Sequence, residues 1–248
     1  MFRSTVSTGI GRLLLANCLA LLPVGLSGQR VSPPYRAGWA DVAVIGSAAT
    51  IAAIPPALAL PHGPPPCAPC DVGELWRVDR IAVHHADRNA SRASDALLAG
   101  VVGGAAWASV RGVSAERARG DAAVMLEAAA WTGATTQWLK VLVHRSRPVL
   151  YTSAAPAAAN LHDNRESFPS GHTSFAFAAA TSYAVLAARQ QLPHASRNSV
   201  LLMAGATGVG VLRVTAGQHF PTDVLAGAAL GAGIGWLVAA LHPTARPQ

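Results

Sequence analysis

Beyond residue 38 the chain divides into six apolar runs, at residues 39–60, 95–110, 122–139, 175–188, 200–211 and 224–241, separated by polar stretches rich in proline or arginine. None of them alternates with the period of two that a half-buried strand shows. The pattern therefore predicts an all-α protein, a helical bundle of about six core helices. A helix needs about 20 apolar residues to cross the hydrocarbon core, with a range near 17–25. Several runs reach that length only with their flanking turns, so the same pattern fits membrane helices or the buried helices of a soluble bundle. A transmembrane bundle is the expectation. A further apolar run at 13–26 follows Arg3 and Arg12 and leads into Ser27-Gly28. That is the form of a secretory signal peptide or, left uncleaved, of an N-terminal anchor.

Composition supports the membrane reading. Hydrophobic residues make up 51% of the chain and charged residues only 12%, against about 25% charged in an ordinary soluble domain. The net charge of +7 comes from scattered residues, with no basic patch interleaved with aromatics, and nucleic acid is excluded as a partner on that ground. The charge is read instead as membrane orientation together with an anionic substrate. Arg111, Arg117 and Arg119 fall in one short loop, and Arg189 and Arg197 in another. The positive-inside rule makes both loops cytoplasmic and turns the intervening ones outward. Cys67 and Cys70 form C-A-P-C in the proline-rich stretch 61–71. With no second pair to complete a metal site, a disulfide is preferred. Residues 76–94 are mixed and charged and read as an interfacial helix. Glu127, inside an apolar run, is read as paired, with an arginine as its natural partner. Trp39, Trp138 and Trp236, near run ends, read as interface anchors or packing.

Three polar clusters mark the ends of these runs, and alternating spans bring all three to one side. The first is Lys140-Val-Leu-Val-His144-Arg145-Ser146-Arg147-Pro148. The second, Pro169-Ser170-Gly171-His172, reads as a helix start, with Ser170 as N-cap and Gly171 leaving the backbone open to close approach. Amides at a helix start lack partners and lie at the positive end of the dipole, a natural anion site. The third runs from Arg213 through His219 to Asp223. Lys140, Arg147 and Arg213 can surround a phosphate, and the Ser170 hydroxyl and neighbouring amides add neutral donors. His219, with Asp223 to hold its ring, suits attack on phosphorus. His172 suits protonation of the leaving oxygen. No carboxylate cluster suggests Mg²⁺ and no phosphate-binding G-x-x-x-x-G-K-[ST] loop occurs, so neither metal nor cofactor is expected. A single lysine or arginine at a helix end is ordinarily an interface anchor. The joint occurrence of complementary groups on one side outweighs that reading. His144 and Arg145 receive no partner and are read as loop or substrate-rim residues.

With these residues in place, the chain resembles the type 2 phosphatidic acid phosphatase superfamily, whose pattern is K-x6-R-P, then P-S-G-H, then S-R-x5-H-x3-D. Lys140 and Arg147-Pro148 match the first part, Pro169 to His172 the second, and Arg213, His219 and Asp223 the third. Leu212 stands where the family has serine, so one hydroxyl donor is lost or comes from elsewhere. The resemblance implies a metal-independent phosphatase acting through a phosphohistidine on His219. In that scheme Asp223 orients the nucleophile, His172 is the general acid, and Lys140, Arg147, Ser170, Gly171 and Arg213 bind the phosphate. The resemblance covers the expected phosphatase catalytic helical core (95–242); ahead of it the sequence pattern sets a leader or anchor (1–28) and a first apolar helix with its Pro/Cys loop (29–94). The expected substrate is a membrane lipid phosphate or diphosphate, in a bacterial inner membrane with the site facing the periplasm. A soluble secreted acid phosphatase and a vanadium-dependent haloperoxidase are the alternatives within the same superfamily.

Overall fold

The structure, a computed structural model, describes residues 33–244. The leader or anchor expected at 1–28 lies outside the described residues. Six long helices account for the apolar runs: α1 (Trp39–Ala57), α2 (Arg88–Val110), α3 (Ala115–Val143), α4 (Gly171–Gln190), α5 (Ala195–Thr215) and α6 (Pro221–Leu241). The loops hold short 3₁₀ segments and one helical turn, Ala155–Ala158. Among the described residues no strand occurs, only an isolated bridge between Tyr35 and Thr244.

Capping explains where helices begin. The Asp87 carboxylate accepts from the Asn89 and Ala90 amides, so α2 starts well before its apolar run. The interfacial helix expected over 76–94 is thus replaced by a 3₁₀ segment, Arg80–His84, and the opening turns of α2, which runs unbroken through 94 and 95. The Ser114 hydroxyl caps α3 by accepting from the Arg117 amide. In α6, Pro221 takes the first turn, where its missing N–H costs nothing, and Asp223 accepts from the Phe220 amide.

α4 is the centre of the bundle, buried around nearly its whole circumference. It can lie against α6 at backbone distance because Gly227, Gly231 and Gly235 recur every four residues on one face. A Cβ at these positions would stand 2.6, 2.0 and 2.5 Å from the carbonyl oxygens of Ser170, Ser174 and Ala178. This is the small-residue helix contact favoured in membranes. Four helices, α1, α2, α5 and α6, are long and apolar enough to cross a membrane. Trp39, Trp107, Val200, Leu201, Trp236 and Leu237 are exposed on them. Trp138 is different: its indole N–H donates to the Ile51 carbonyl on α1, a packing contact.

Successive helices reverse direction, so α3 and α5 end where α4 and α6 begin. The opposite end is latched by Gln190, which donates to the Asp121 carboxylate and accepts from Arg117 through both its side chain and its carbonyl. There too the Tyr35 hydroxyl donates to the Ala239 carbonyl. Glu127 pairs with His242 at 3.2 Å and not with an arginine. Cys67 and Cys70 are joined by a disulfide, and Cys70 packs with Leu150, Ala155 and Ala158.

Candidate active site

The end of α3, the starts of α4 and α6, the end of α5 and the 144–170 loop meet around His219, which is 2% exposed. Its Nδ1 donates to the Ser167 carbonyl at 2.7 Å. A carbonyl can only accept, so that contact places the proton on Nδ1 and leaves the lone pair on Nε2. Burial depresses the imidazole pKa to about 4; Asp223 opposes the shift, and the fields of Arg147 and Arg213 reinforce it. The ring is therefore neutral near pH 7, the form a nucleophile needs.

Asp223 stands 3.8 Å from His219 Nδ1, beyond hydrogen-bond reach. Its carboxylate instead accepts from the Ser167 hydroxyl at 2.6 Å, the Phe220 amide at 3.0 Å and Arg145 at 2.5 Å. Sequence spacing suggested direct contact between Asp223 and the ring; in the fold Ser167 stands between them. Arg145, read from sequence as a loop or rim residue, proves to be a strut. It bridges Asp223 and the fully buried Asp79 and lies 4.3 Å over the Phe220 ring. Asp79 also receives the Thr222 amide and hydroxyl. The loop before α2 thus pins the start of α6, and α6 holds the segment that orients His219.

The other residues predicted from sequence border the same space. Arg147 is buried, donates to Gln218 at 2.6 Å and pairs with Asp163 at 3.1 Å, and its Nε has no partner. Arg213 is also buried; it donates to Ser94 at 3.3 Å, and its Nε is likewise without a partner. Buried donors of this kind are rare and leave each Nε able to meet a water or an anionic ligand. Lys140 lies 3.8 Å from Glu166. Ser170 takes the N-cap position but does not cap with its side chain: its hydroxyl accepts from Thr173, and its amide donates to the Asp223 carbonyl. The amides of Gly171 and His172, in the first turn of α4, have no carbonyl within the helix to meet.

His172 pairs with Asp95 of α2 at 2.8 Å. Asp95 lies 3.7 Å from Arg213 as well, tying the second imidazole to the phosphate-side arginine. In the sequence Asp95 is only the first residue of an apolar run. A carboxylate on the edge of such a run was the one signal available. Ser94, beside it on α2, accepts from Arg213 and donates to the Ser91 carbonyl, so it does not replace the hydroxyl donor that Leu212 lacks.

An open cleft of about 700 Å³ leads from Lys140, Gly171 and His172 between α1, α2, α3 and α4, and is lined mainly by small apolar residues including Ala52, Ala130 and Gly133. The fold and site together define a helical-bundle protein with a cationic pocket at one end and a greasy cleft beside it. Residues 121–247 match the PAP2 superfamily, and the chain belongs to that superfamily. Over 114 residues it is 34% identical to a lipid A 1-phosphatase from Rhizobium johnstonii. That similarity covers 44% of this chain and 43% of the relative, so the chain spans less than half the length of the relative it matches. Lys140, His172, His219 and Asp223 lie within the family match; Asp79, Ser94 and Asp95 lie before it.

Proposed function

We propose that the protein is a metal-independent phosphatase that hydrolyses a lipid phosphate or diphosphate at the outer face of the inner membrane. The observation that carries this reading is the neutral, buried imidazole of His219, set among two buried arginines with unpaired Nε groups and beside an apolar cleft. His219 Nε2 attacks phosphorus, forming an N–P bond as the P–O bond to the lipid breaks. His172 gives its proton to the departing oxygen. Nδ1 keeps its proton, and the positive charge that develops on the ring is met by the Ser167 carbonyl and, further off, by Asp223. Water then attacks the phosphohistidine with His172 as base, releasing inorganic phosphate and restoring Nε2. Lys140, Arg147, Arg213 and the α4 amides balance the negative charge on the phosphoryl oxygens, which positioned cations can do without a metal.

The lipid reading rests on the cleft and on four helices apolar enough for a bilayer. A lipid tail can stay in an apolar environment while its head group reaches Lys140 and His172. Lipid A phosphates are the first substrates to try, given the relative named above. The arginines of the 111–119 and 189–197 loops lie at the end away from His219, which under the positive-inside rule supports a site on the periplasmic side. The test is phosphate release by detergent-purified protein, comparing a lipid phosphate with a short water-soluble ester. Strong preference for the lipid, abolished in His219→Asn, is the expected result. Turnover by His219→Asn would overturn the nucleophile, and equal turnover of the soluble ester would overturn the lipid assignment.

A further inference from the structure

A second cluster of ligating groups lies at the opposite end of the bundle. His242, just after α6, meets Glu127 of α3 and Asp41 in the first turn of α1. One ligand atom from each lies within 4.8 Å of the others. His242 and Glu127 are buried and Asp41 nearly so. From Lys140 the site is about 20 Å away along α3, at 1.5 Å per residue, so it is separate from the phosphate pocket.

Hydrogen bonding fixes what the imidazole presents. His242 Nε2 is 2.8 Å from the Arg36 carbonyl, which can only accept, so Nε2 carries the proton. In the neutral ring Nδ1 is then a lone pair, and it faces Glu127 Oε2 at 3.2 Å. Two lone pairs at that distance need a cation to join them. A backbone carbonyl holding the far N–H is also the usual support of a metal-bound histidine. Asp41 accepts from the Gly38 amide at Oδ2, 2.6 Å, and its Oδ1 lies 3.8 Å from Nε2, so its carboxylate must turn toward Glu127 to reach an ion held on Nδ1. The three groups line a cavity of about 520 Å³ with Trp131 and Leu237. That leaves one side open for a fourth ligand such as water.

We propose that His242, Glu127 and Asp41 form a structural site for a divalent first-row transition ion of the Zn²⁺ type. One imidazole and two carboxylates suit such an ion, and its two charges match theirs. The ion would fasten the end of α6 to the start of α1 and the middle of α3, where Tyr35 and Arg36 already donate to the Ala239 and Pro243 carbonyls.

The test uses the full chain in detergent, free of any polyhistidine tag, loaded with Zn²⁺ and dialysed. Elemental analysis should find one zinc per chain, and saturating Zn²⁺ should raise the melting temperature by about 5 °C. His242→Gln, which keeps a donor for Arg36 but loses the Nδ1 lone pair, should lose both effects, as should the isosteric Glu127→Gln. His219→Asn should keep both, which separates this site from the phosphatase reading. If neither His242→Gln nor Glu127→Gln folds, visible bands of ligated Co²⁺ in the wild type decide. Absence of retained zinc and of a thermal shift in the wild type, or zinc retention undiminished in His242→Gln, would overturn the site and leave a proton as the cation between His242 and Glu127.

Discussion

At the scale of single residues the site makes two histidines unequal. His219 is kept neutral by burial, with its tautomer set by the Ser167 carbonyl; His172 is part-exposed and paired with Asp95. Replacing His172 by asparagine should lower turnover of an alkyl phosphate by about 10²–10⁴-fold, the usual worth of a general acid. On kcat/KM, which runs only to formation of the phosphohistidine, the loss should be far smaller with a nitrophenyl ester, whose leaving group needs no proton; the later hydrolysis, in which His172 is the base, is common to both esters. Asp95→Asn should show the same dependence on leaving group in weaker form; an equal loss on both esters would mean that Asp95 only supports the fold. His219 also shapes stability against pH. Its folded pKa of about 4 lies below the ordinary value of 6.5, so between these values the unfolded chain binds more protons. Stability should therefore be full above about pH 6.5 and fall as the pH drops toward 4. Urea unfolding across that range should show the slope, and His219→Asn should flatten it.

Among the helices, α4 and α6 matter most, because the α6 glycines let Asp223 reach the start of α4. At Gly231 an added Cβ would sit 2.0 Å from the Ser174 carbonyl oxygen, whereas at Gly233 it would meet nothing within 4 Å. Gly231→Ala should destabilise by about 3 kcal/mol, the upper range for overpacking, because backbone cannot step aside. Gly233→Ala should be neutral or slightly stabilising through helix propensity. Thermal unfolding of the two variants in detergent checks the contrast; equal melting temperatures would refute this packing account. The number and type of the helices were legible in the apolar runs. The start of α2 was not, because the Asp87 cap and the polar first turns carry no hydrophobic period.

For the whole molecule, the cleft between α1, α2, α3 and α4 decides whether the substrate is a lipid. Ala52→Phe and Ala130→Phe would fill it without touching Lys140 or His172. Each should cut lipid-phosphate turnover by about tenfold or more while leaving a short soluble ester within about twofold, as expected when lost apolar contacts are worth about 1–3 kcal/mol. A parallel loss on both esters would place the lipid elsewhere. By itself the sequence determined the all-α class, the run of six helices and the three clusters holding Lys140, Arg147, Ser170, Gly171, His172, Arg213, His219 and Asp223. Helical periodicity and short motifs are local and can be read along the chain. Only the tertiary structure decided that Asp79 and Arg145 brace Asp223, that Ser167 stands between Asp223 and His219, that Asp95 pairs with His172, and that His242 meets Glu127. Each of these contacts joins residues far apart in the chain, and neither spacing nor hydropathy encodes which distant helix end a side chain will face.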